Sequence, residues 1–355
     1  MNIVFFKTAI SNSGGMERVS IVIANELAKN EDNKIFYVSR VAGVPFFSLS
    51  DKVELITLSS KSEENLYLNW IKYVWKVSRI VRKYKIDKWI DVGSNMSLIS
   101  VPAKLFSRFE LYTWEHFNLT YVWNTITTPI ARWLACHYAQ KVVVLTQTDQ
   151  KRFEDKYHTG NIVCIPNPVT ISKVDKSISK EEIILAVGRL SYQKGYDMMF
   201  KIWEATKCKD SGWKLVIIGG GELEQELKQQ ISDLNLSNSV SLIEPTKSIE
   251  EWYAKASLFI LTSRWEGLPL VLIEAMTVGL PIISFDCETG PRDIVQNGYN
   301  GFLIKCFELN DFAQKIDLIC EHHDIIERMS NNSIIKSVEY DVEKIMLKWS
   351  ELIIQ

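Results

Sequence analysis

Hydrophobic positions in this chain come in short blocks separated by longer segments with helical spacing. Asn2–Lys7, Lys34–Ser39, Lys88–Val92 and Lys141–Leu145 are apolar runs of strand length, rich in β-branched and aromatic residues. Gly14-Gly15 opens a helical segment that runs to about Lys29. Strands alternating with helices predict a doubly wound parallel sheet, an α/β fold. Near Ile165-Pro166-Asn167-Pro168-Val169 the pattern breaks, and Thr170–Lys180 is polar with no apolar period, which predicts a linker. A second series follows, with strands at Glu182–Val187, Lys214–Ile218, Leu258–Leu261 and Pro281–Ser284. The expected division is a first domain over 1–168, the linker 169–180, and a second domain over 181–335. The last piece, 336–355, has helical spacing with Trp349 and Leu352.

Composition agrees with two domains. A chain of 355 residues exceeds one ordinary core, and 46% apolar residues exclude a disordered chain. The first strand, Met1–Lys7, is too brief for a signal-peptide core, and no window has the uncharged length of a membrane span. Six cysteines without a C-x-x-C pair fit reduced thiols in the cytoplasm better than a disulfide frame or a zinc site. The net charge of −2 hides an asymmetry of +6 over residues 1–170 and −8 over the rest, so the two halves are expected to meet different partners.

Four local patterns carry candidate chemistry. After Leu258–Leu261, a loop with Glu266, Gly267, Leu268 and Pro269 leads into a helix over Leu270–Val278, with Glu274 about one turn inside. Unpaired N–H groups and the positive helix end lie between the two acids, a setting for an anion flanked by acceptors. Alone, that spacing fits an ordinary βα unit with a surface and a helix glutamate at least as well. Gly188-Arg189-Leu190 and Lys194-Gly195 follow another strand. Arg189 offers a planar fork and Lys194 a point charge to phosphate oxygens, or both are solvated loop cations. Gly14 and Gly15 permit close backbone approach to a phosphate or sugar, or only a tight turn. His116 in Trp114-Glu115-His116-Phe117-Asn118, after the strand-like Leu111-Tyr112-Thr113, is open between a core and a ligand-facing role. Glycines 219–221 are no dinucleotide fingerprint, because Glu224 stands at the sixth position. A D-x-D metal pair is also missing from the sequence, the nearest approach being Asp286-Cys287-Glu288.

Ser263-Arg264-Trp265-Glu266-Gly267-Leu268-Pro269 with Glu274 resembles the E-x7-E signature of retaining glycosyltransferases of family 4, which have the GT-B fold. Gly279–Ser284, Thr289–Val295 and Asn297–Leu303 continue that pattern, Gly188–Gly195 matches its G-R-L-x3-K-G element, and Gly14–Arg18 its G-G-x-E-R segment. The resemblance implies two Rossmann-like domains facing across a cleft, with the final helix returning to the first. It implies that Glu274 holds the ribose hydroxyls and Glu266 orients the donor sugar. Arg189 and Lys194, with Gly188 and the backbone of Gly267, Leu268 and Pro269, would stabilise a departing diphosphate. Gly14 and Gly15 would lie near the donor phosphate and acceptor, and His116 would touch the transferred sugar or acceptor. The expected reaction is metal-independent transfer of a hexose or N-acetylhexosamine from a UDP-sugar, with no cofactor. The expected acceptor is a lipid-linked saccharide of capsule or O-antigen type.

Asn65–Tyr84 carries Lys72, Lys76, Arg79 and Lys83 at helical spacing among Tyr67, Trp70, Tyr73 and Trp75. A basic, aromatic helix fits peripheral contact with the inner face of the plasma membrane, or an ordinary helix with a solvated face. Two other functions stay open: a nucleotide-sugar 2-epimerase on the same fold, and a catalytically silent UDP-sugar-binding scaffold.

Overall fold

The computed structural model describes residues 1–61, 65, 68–122, 124–171, 179–246 and 248–354. Part of the expected linker, 172–178, therefore lies outside the described residues, as does Tyr67. The chain forms two compact units, Met1–Pro168 with Val342–Gln355, and Val169–Asp341. The return to the first unit begins at Val342, so residues 336–341 stay with the second.

The first unit runs β1 (Asn2–Lys7), α1 (Gly15–Leu27), β2 (Lys34–Ser39), β3 (Val53–Thr57), α2 (Trp70–Tyr84), β4 (Lys88–Val92), α3 (Ser97–Ala103), β5 (Glu110–Trp114), α4 (Thr127–Tyr138), β6 (Lys141–Val144), α5 (Gln147–Tyr157) and β7 (Ile162–Cys164). The second runs β8 (Ile183–Val187), α6 (Tyr196–Ala205), β9 (Lys214–Ile218), α7 (Glu224–Asp233), β10 (Val240–Ile243), α8 (Ile249–Lys255), β11 (Leu258–Leu261), α9 (Leu270–Thr277), β12 (Ile282–Phe285), α10 (Pro291–Ile294), β13 (Gly301–Ile304), α11 (Leu309–Glu321) and α12 (His323–Ser337). Helix α13 (Val342–Ile354) completes the first unit.

Both sheets are parallel. Their orders are β3-β2-β1-β4-β5-β6-β7 and β10-β9-β8-β11-β12-β13. Each therefore reverses direction once, between β1 and β4 and between β8 and β11. Such sheets place helices on both faces, so inner strands are apolar throughout: Ile3–Phe6 and Leu258–Leu261 are buried along their whole length. The sequence reading missed β3, β7, β10 and β13, which are the four sheet edges. Edge strands are covered on fewer sides, and β3 buries only Val53 fully.

The core of the first unit gathers Phe6, Phe36, Tyr73, Val77, Trp89 and Leu111. Trp349 of α13 is fully buried against Trp114, with ring centroids 4.7 Å apart. Burying one such ring contributes roughly 4–6 kcal/mol as an upper bound. No helix among the described residues is long and apolar enough to cross a membrane.

Candidate functional site

In open α/β sheets, ligands bind beyond the carboxyl ends of the strands where the strand order reverses. In the second unit that point is the pair of loops after β8 and β11, and they carry Gly188, Arg189 and Lys194 on one side and Glu266–Pro269 on the other. The fold brings the two loops into direct contact. Lys194 Nζ lies 2.7 Å from Glu266 Oε1, and the Ser263 hydroxyl donates to that same oxygen at 2.7 Å. Arg189 is exposed at the rim with no ion-pair partner among the described residues.

Backbone contacts explain why this geometry is reproducible. Gly195 adopts φ +66°, and a Cβ there would stand 2.3 Å from the Thr262 carbonyl oxygen. The Thr262 hydroxyl donates to the carbonyls of Lys194 and Gly195. Behind Gly188, a Cβ on Gly219 would approach the Gly188 carbonyl oxygen to 1.9 Å, and one on Gly221 would reach Leu190. The three-glycine run is thus the floor on which the 188–190 loop rests. The Glu266–Gly267 turn is backed in the same way by Thr289, whose hydroxyl donates to the Glu266 carbonyl, and by Gly290, packed on the Gly267 carbonyl oxygen.

Glu274 is buried on α9, one turn past Pro269. Its Oε1 accepts from the Thr170 hydroxyl at 2.8 Å and its Oε2 from the Tyr253 hydroxyl at 2.9 Å. Among the described residues no side chain caps the N-terminus of α9, where Pro269 holds an extended ψ of 106°. Among the described residues no group of three His, Cys, Asp or Glu is placed to hold a metal ion.

Sequence reasoning missed the clamp that joins the two loops. Arg264 makes two hydrogen bonds to Asp197, at 2.9 and 2.7 Å, donates to the Tyr192 carbonyl, and stacks 3.8 Å above the Tyr192 ring. Burial works to raise the Asp197 carboxyl, and the Arg264 guanidinium overcomes it, holding Asp197 below its ordinary value. Gln193 adds a bond from its side chain to the Trp265 carbonyl at 2.9 Å. Nothing local marks Arg264 and Asp197 as partners, since 67 residues separate them.

In the first unit the reversal falls between β1 and β4. Gly14 caps α1, and the Glu17 carboxylate folds back beside it, 2.7 Å from where a Gly14 Cβ would sit. Glu17 is buried and pairs with Lys7 at 3.5 Å, so the positive end of α1 already faces a carboxylate. His116 is buried beside the Trp114 ring, and its Nε2 has no hydrogen-bond partner among the described residues. Burial holds its imidazole well below the ordinary value, and the Lys7 cation pushes the same way. Its neighbour Glu115 is structural: it accepts from Ser94, from Arg132 at 2.9 Å, and from the N–H groups of His116 and Phe117.

The basic helix needs one correction. Lys72, Arg79 and Lys83 are exposed on α2, whereas Lys76 is half-buried and donates to the Leu58 carbonyl. Lys76 is one helical step closer to the sheet and is consumed by the end of β3.

With this geometry in place, comparison with known proteins supplies the class. Residues 170–335 match the family of glycosyl transferases group 1. An uncharacterized glycosyltransferase of Haemophilus influenzae is 32% identical over 350 residues, covering 98% of this chain and 99% of its own. The chain belongs to the group 1 glycosyl transferases, and it is an enzyme of that transferase class. A Campylobacter jejuni α-1,4-N-acetyl-D-galactosaminyltransferase, named for an undecaprenol-linked substrate, is 26% identical and covers 98% of this chain and 97% of its own. Staphylococcus aureus TarM, solved with UDP and α-GlcNAc-glycerol, superposes with a TM-score of 0.84 at 16% identity, over 99% of both chains. At that identity the likeness concerns the fold, two parallel α/β units of the GT-B type.

Proposed function

We propose that the chain is a retaining, metal-independent glycosyltransferase that moves a hexose or N-acetylhexosamine from a UDP-sugar to a lipid-linked saccharide. The pathway would be assembly of a capsule- or O-antigen-type polysaccharide in the cytoplasm. The observation that carries this reading is the Lys194–Glu266 contact at the strand-order reversal of the second unit, with exposed Arg189 and the uncapped start of α9 beside it. The undecaprenol-linked substrate in the Campylobacter relative's name and the UDP bound to TarM support the acceptor and donor classes.

The chemistry follows from charge. As the anomeric C–O bond breaks, the diphosphate oxygen gains negative charge, and fixed cations stabilise it without reorganising. Arg189 presents two parallel donors and Lys194 a mobile one. Drawing Lys194 toward phosphate leaves Glu266 held by Ser263, with its carboxylate turned to the hydroxyls of the donor sugar. Glu274 already accepts from the hydroxyls of Thr170 and Tyr253, and ribose hydroxyls would join that acceptor cluster. Transfer on the same face passes through an oxocarbenium-like state, forms the bond to the acceptor oxygen, and sends the acceptor proton to the departing phosphate. With Glu17 facing α1, the Gly14–Gly15 backbone suits a neutral hydroxyl better than a phosphate. The neutral His116 is assigned to a sugar or acceptor hydroxyl through its unpartnered Nε2.

Thermal unfolding with a panel of UDP- and GDP-sugars tests the donor. A ligand at a hundredfold excess over its Kd stabilises by about 2.7 kcal/mol, a shift of several degrees. One UDP-sugar should raise the midpoint of the wild type and fail to raise that of Lys194→Ala or Glu274→Ala. Wild-type transfer rates in Arg189→Ala would sink the cation role. A shift with a UDP-sugar but no transfer would leave a silent scaffold, no shift with any nucleotide sugar would overturn the donor assignment, and UDP release with an isomerised sugar and no acceptor would make the chain an epimerase.

A further inference from the structure

Sheet register in the second unit sets two cysteines side by side behind the candidate site. Phe285 of β12 pairs with Ile304 of β13, and the ladder runs one bond further, from the Asp286 N–H to the Ile304 carbonyl at 2.7 Å. Two residues beyond that pair stand Cys287 and Cys306, on the same face of the sheet by its period of two. Both pack on the core with Phe285 and Ile304. The two thiols hydrogen-bond to each other, and Cys306 Sγ also lies 3.4 Å from the Asp286 carbonyl oxygen. Neighbouring strands are about 4.8 Å apart, inside the roughly 4.4–6.8 Å between Cα atoms that a disulfide spans.

The two sulfurs differ in access and acidity. Cys287 is 1% exposed, whereas Cys306 is half-buried beyond the edge strand. The bond from Cys287 holds the Cys306 thiol below its ordinary value, against burial and Asp286 and with help from the Arg292 cation. The same bond, with burial, pushes Cys287 up. Thiolate is the form that attacks, so the reachable sulfur is also the reactive one. Cys208 and Cys320 are in contact too, but both are buried.

Cys287 is tied to the acidic side of the site. Its thiol donates to the Ser263 carbonyl at 2.9 Å, and Ser263, fully buried, holds Glu266 through its hydroxyl. The segment that starts at Cys287 also supplies Thr289 and Gly290 behind the Glu266–Gly267 turn. We infer that Cys306 and Cys287 form an oxidisable dithiol whose closure to a disulfide by a hydroperoxide loosens the Glu266 turn. The Cys306 thiolate attacks the peroxide, and the O–O bond takes up the electron pair. A sulfenic acid forms, and the leaving oxygen takes the proton that the thiol gave up. Cys287 then loses its own proton and attacks the Cys306 sulfur, expelling hydroxide that leaves with that proton as water. A disulfide has no S–H, so the buried Ser263 carbonyl loses its donor. The modification stands on the cysteine geometry, whereas its effect on binding rests on the donor role proposed for Glu266.

Hydrogen peroxide treatment of the reduced whole chain, followed by non-reducing tryptic mass mapping, is the direct test. The expected product is peptide 265–292 joined to peptide 306–315, with both thiol hydrogens lost. Amide exchange across 263–267 should quicken on oxidation, a readout that needs no ligand. The UDP-sugar that raises the unfolding midpoint should then bind about tenfold more weakly, and dithiothreitol should restore it. Cys306→Ser should bind like the reduced wild type and ignore peroxide. Cys287→Ser should stop at the Cys306 sulfenic acid, trapped by dimedone. A Cys306 sulfinic acid in place of the cross-link, a different cysteine pairing, or a cross-link with unchanged exchange would overturn the inference. If no nucleotide sugar shifts the reduced protein, the donor assignment fails by itself, and the cross-link with its exchange rate still decides this one.

Discussion

Buried ionisable side chains in the first unit pull its stability in opposite directions with pH. His116 is neutral when folded, held down by burial and by Lys7, whereas in the unfolded chain it takes up a proton near pH 6.5. Below that value the unfolded state binds more protons, so the His116 contribution to stability is lost as pH falls, by at most about 1.4 kcal/mol per pH unit. Asp91 has the opposite sign. Burial pushes it up to about 7 against the donors Ser100, Ser97 and Trp89. The folded state thus keeps a proton that the unfolded state releases near pH 4, and the Asp91 contribution is lost as pH rises from about 4 to about 7. Urea midpoints at pH 7 and pH 5 should separate the two. Relative to wild type, His116→Gln should gain stability on acidification and Asp91→Asn should lose it. Parallel profiles for all three proteins would mean that neither group titrates as its burial requires. The same burial fixes the chemistry open to His116: around neutral pH it can donate or accept a hydrogen bond, and it supplies no positive charge.

The loops of the second unit are defined by what their neighbours lack. Gly219→Ala would set a methyl group against the Gly188 carbonyl, where only backbone could move to relieve it. A cost of about 1–3 kcal/mol and weaker nucleotide-sugar binding are expected, because the 188–190 loop must shift. Gly160→Ala meets nothing within 4 Å and has an ordinary backbone, so it should be neutral or stabilise by about 0.4–1 kcal/mol. Calorimetry of the two variants checks the contrast, and equal midpoints would refute it. The visibility of elements in the sequence follows similar logic. Strands β1, β2, β4, β5, β6, β8, β9, β11 and β12 were legible because helices cover both their faces and force unbroken apolar runs. Edge strands such as β3, with the exposed Glu54 and Leu55, carry no such run. Lys194 and Glu266 were legible because each stands in a compact local block. Their supports were not: Asp197 meets Arg264 across 67 residues, and Thr170 meets Glu274 across 104. Partner choice at that distance is decided by the order of strands, which no local pattern encodes.

At the scale of the molecule, the chain leaves the first unit at Pro168 and re-enters it at Val342. Helix α13 buries Ile345, Trp349, Leu352 and Ile353, so it belongs to the core it returns to. Trp349→Ala should cost about 3–5 kcal/mol, read from denaturant unfolding, and a loss below about 1 kcal/mol would show that α13 is dispensable. During synthesis the same excursion imposes an order of events. The ribosome must make all of Val169–Asp341 before it reaches Val342, a wait of roughly ten to thirty-five seconds at ordinary elongation rates. For that interval the first unit has all seven of its strands, but Trp114 lacks Trp349. The earlier-made half therefore carries an incomplete core while the later one is made, and it is the half that a holdase chaperone should be found protecting on the ribosome.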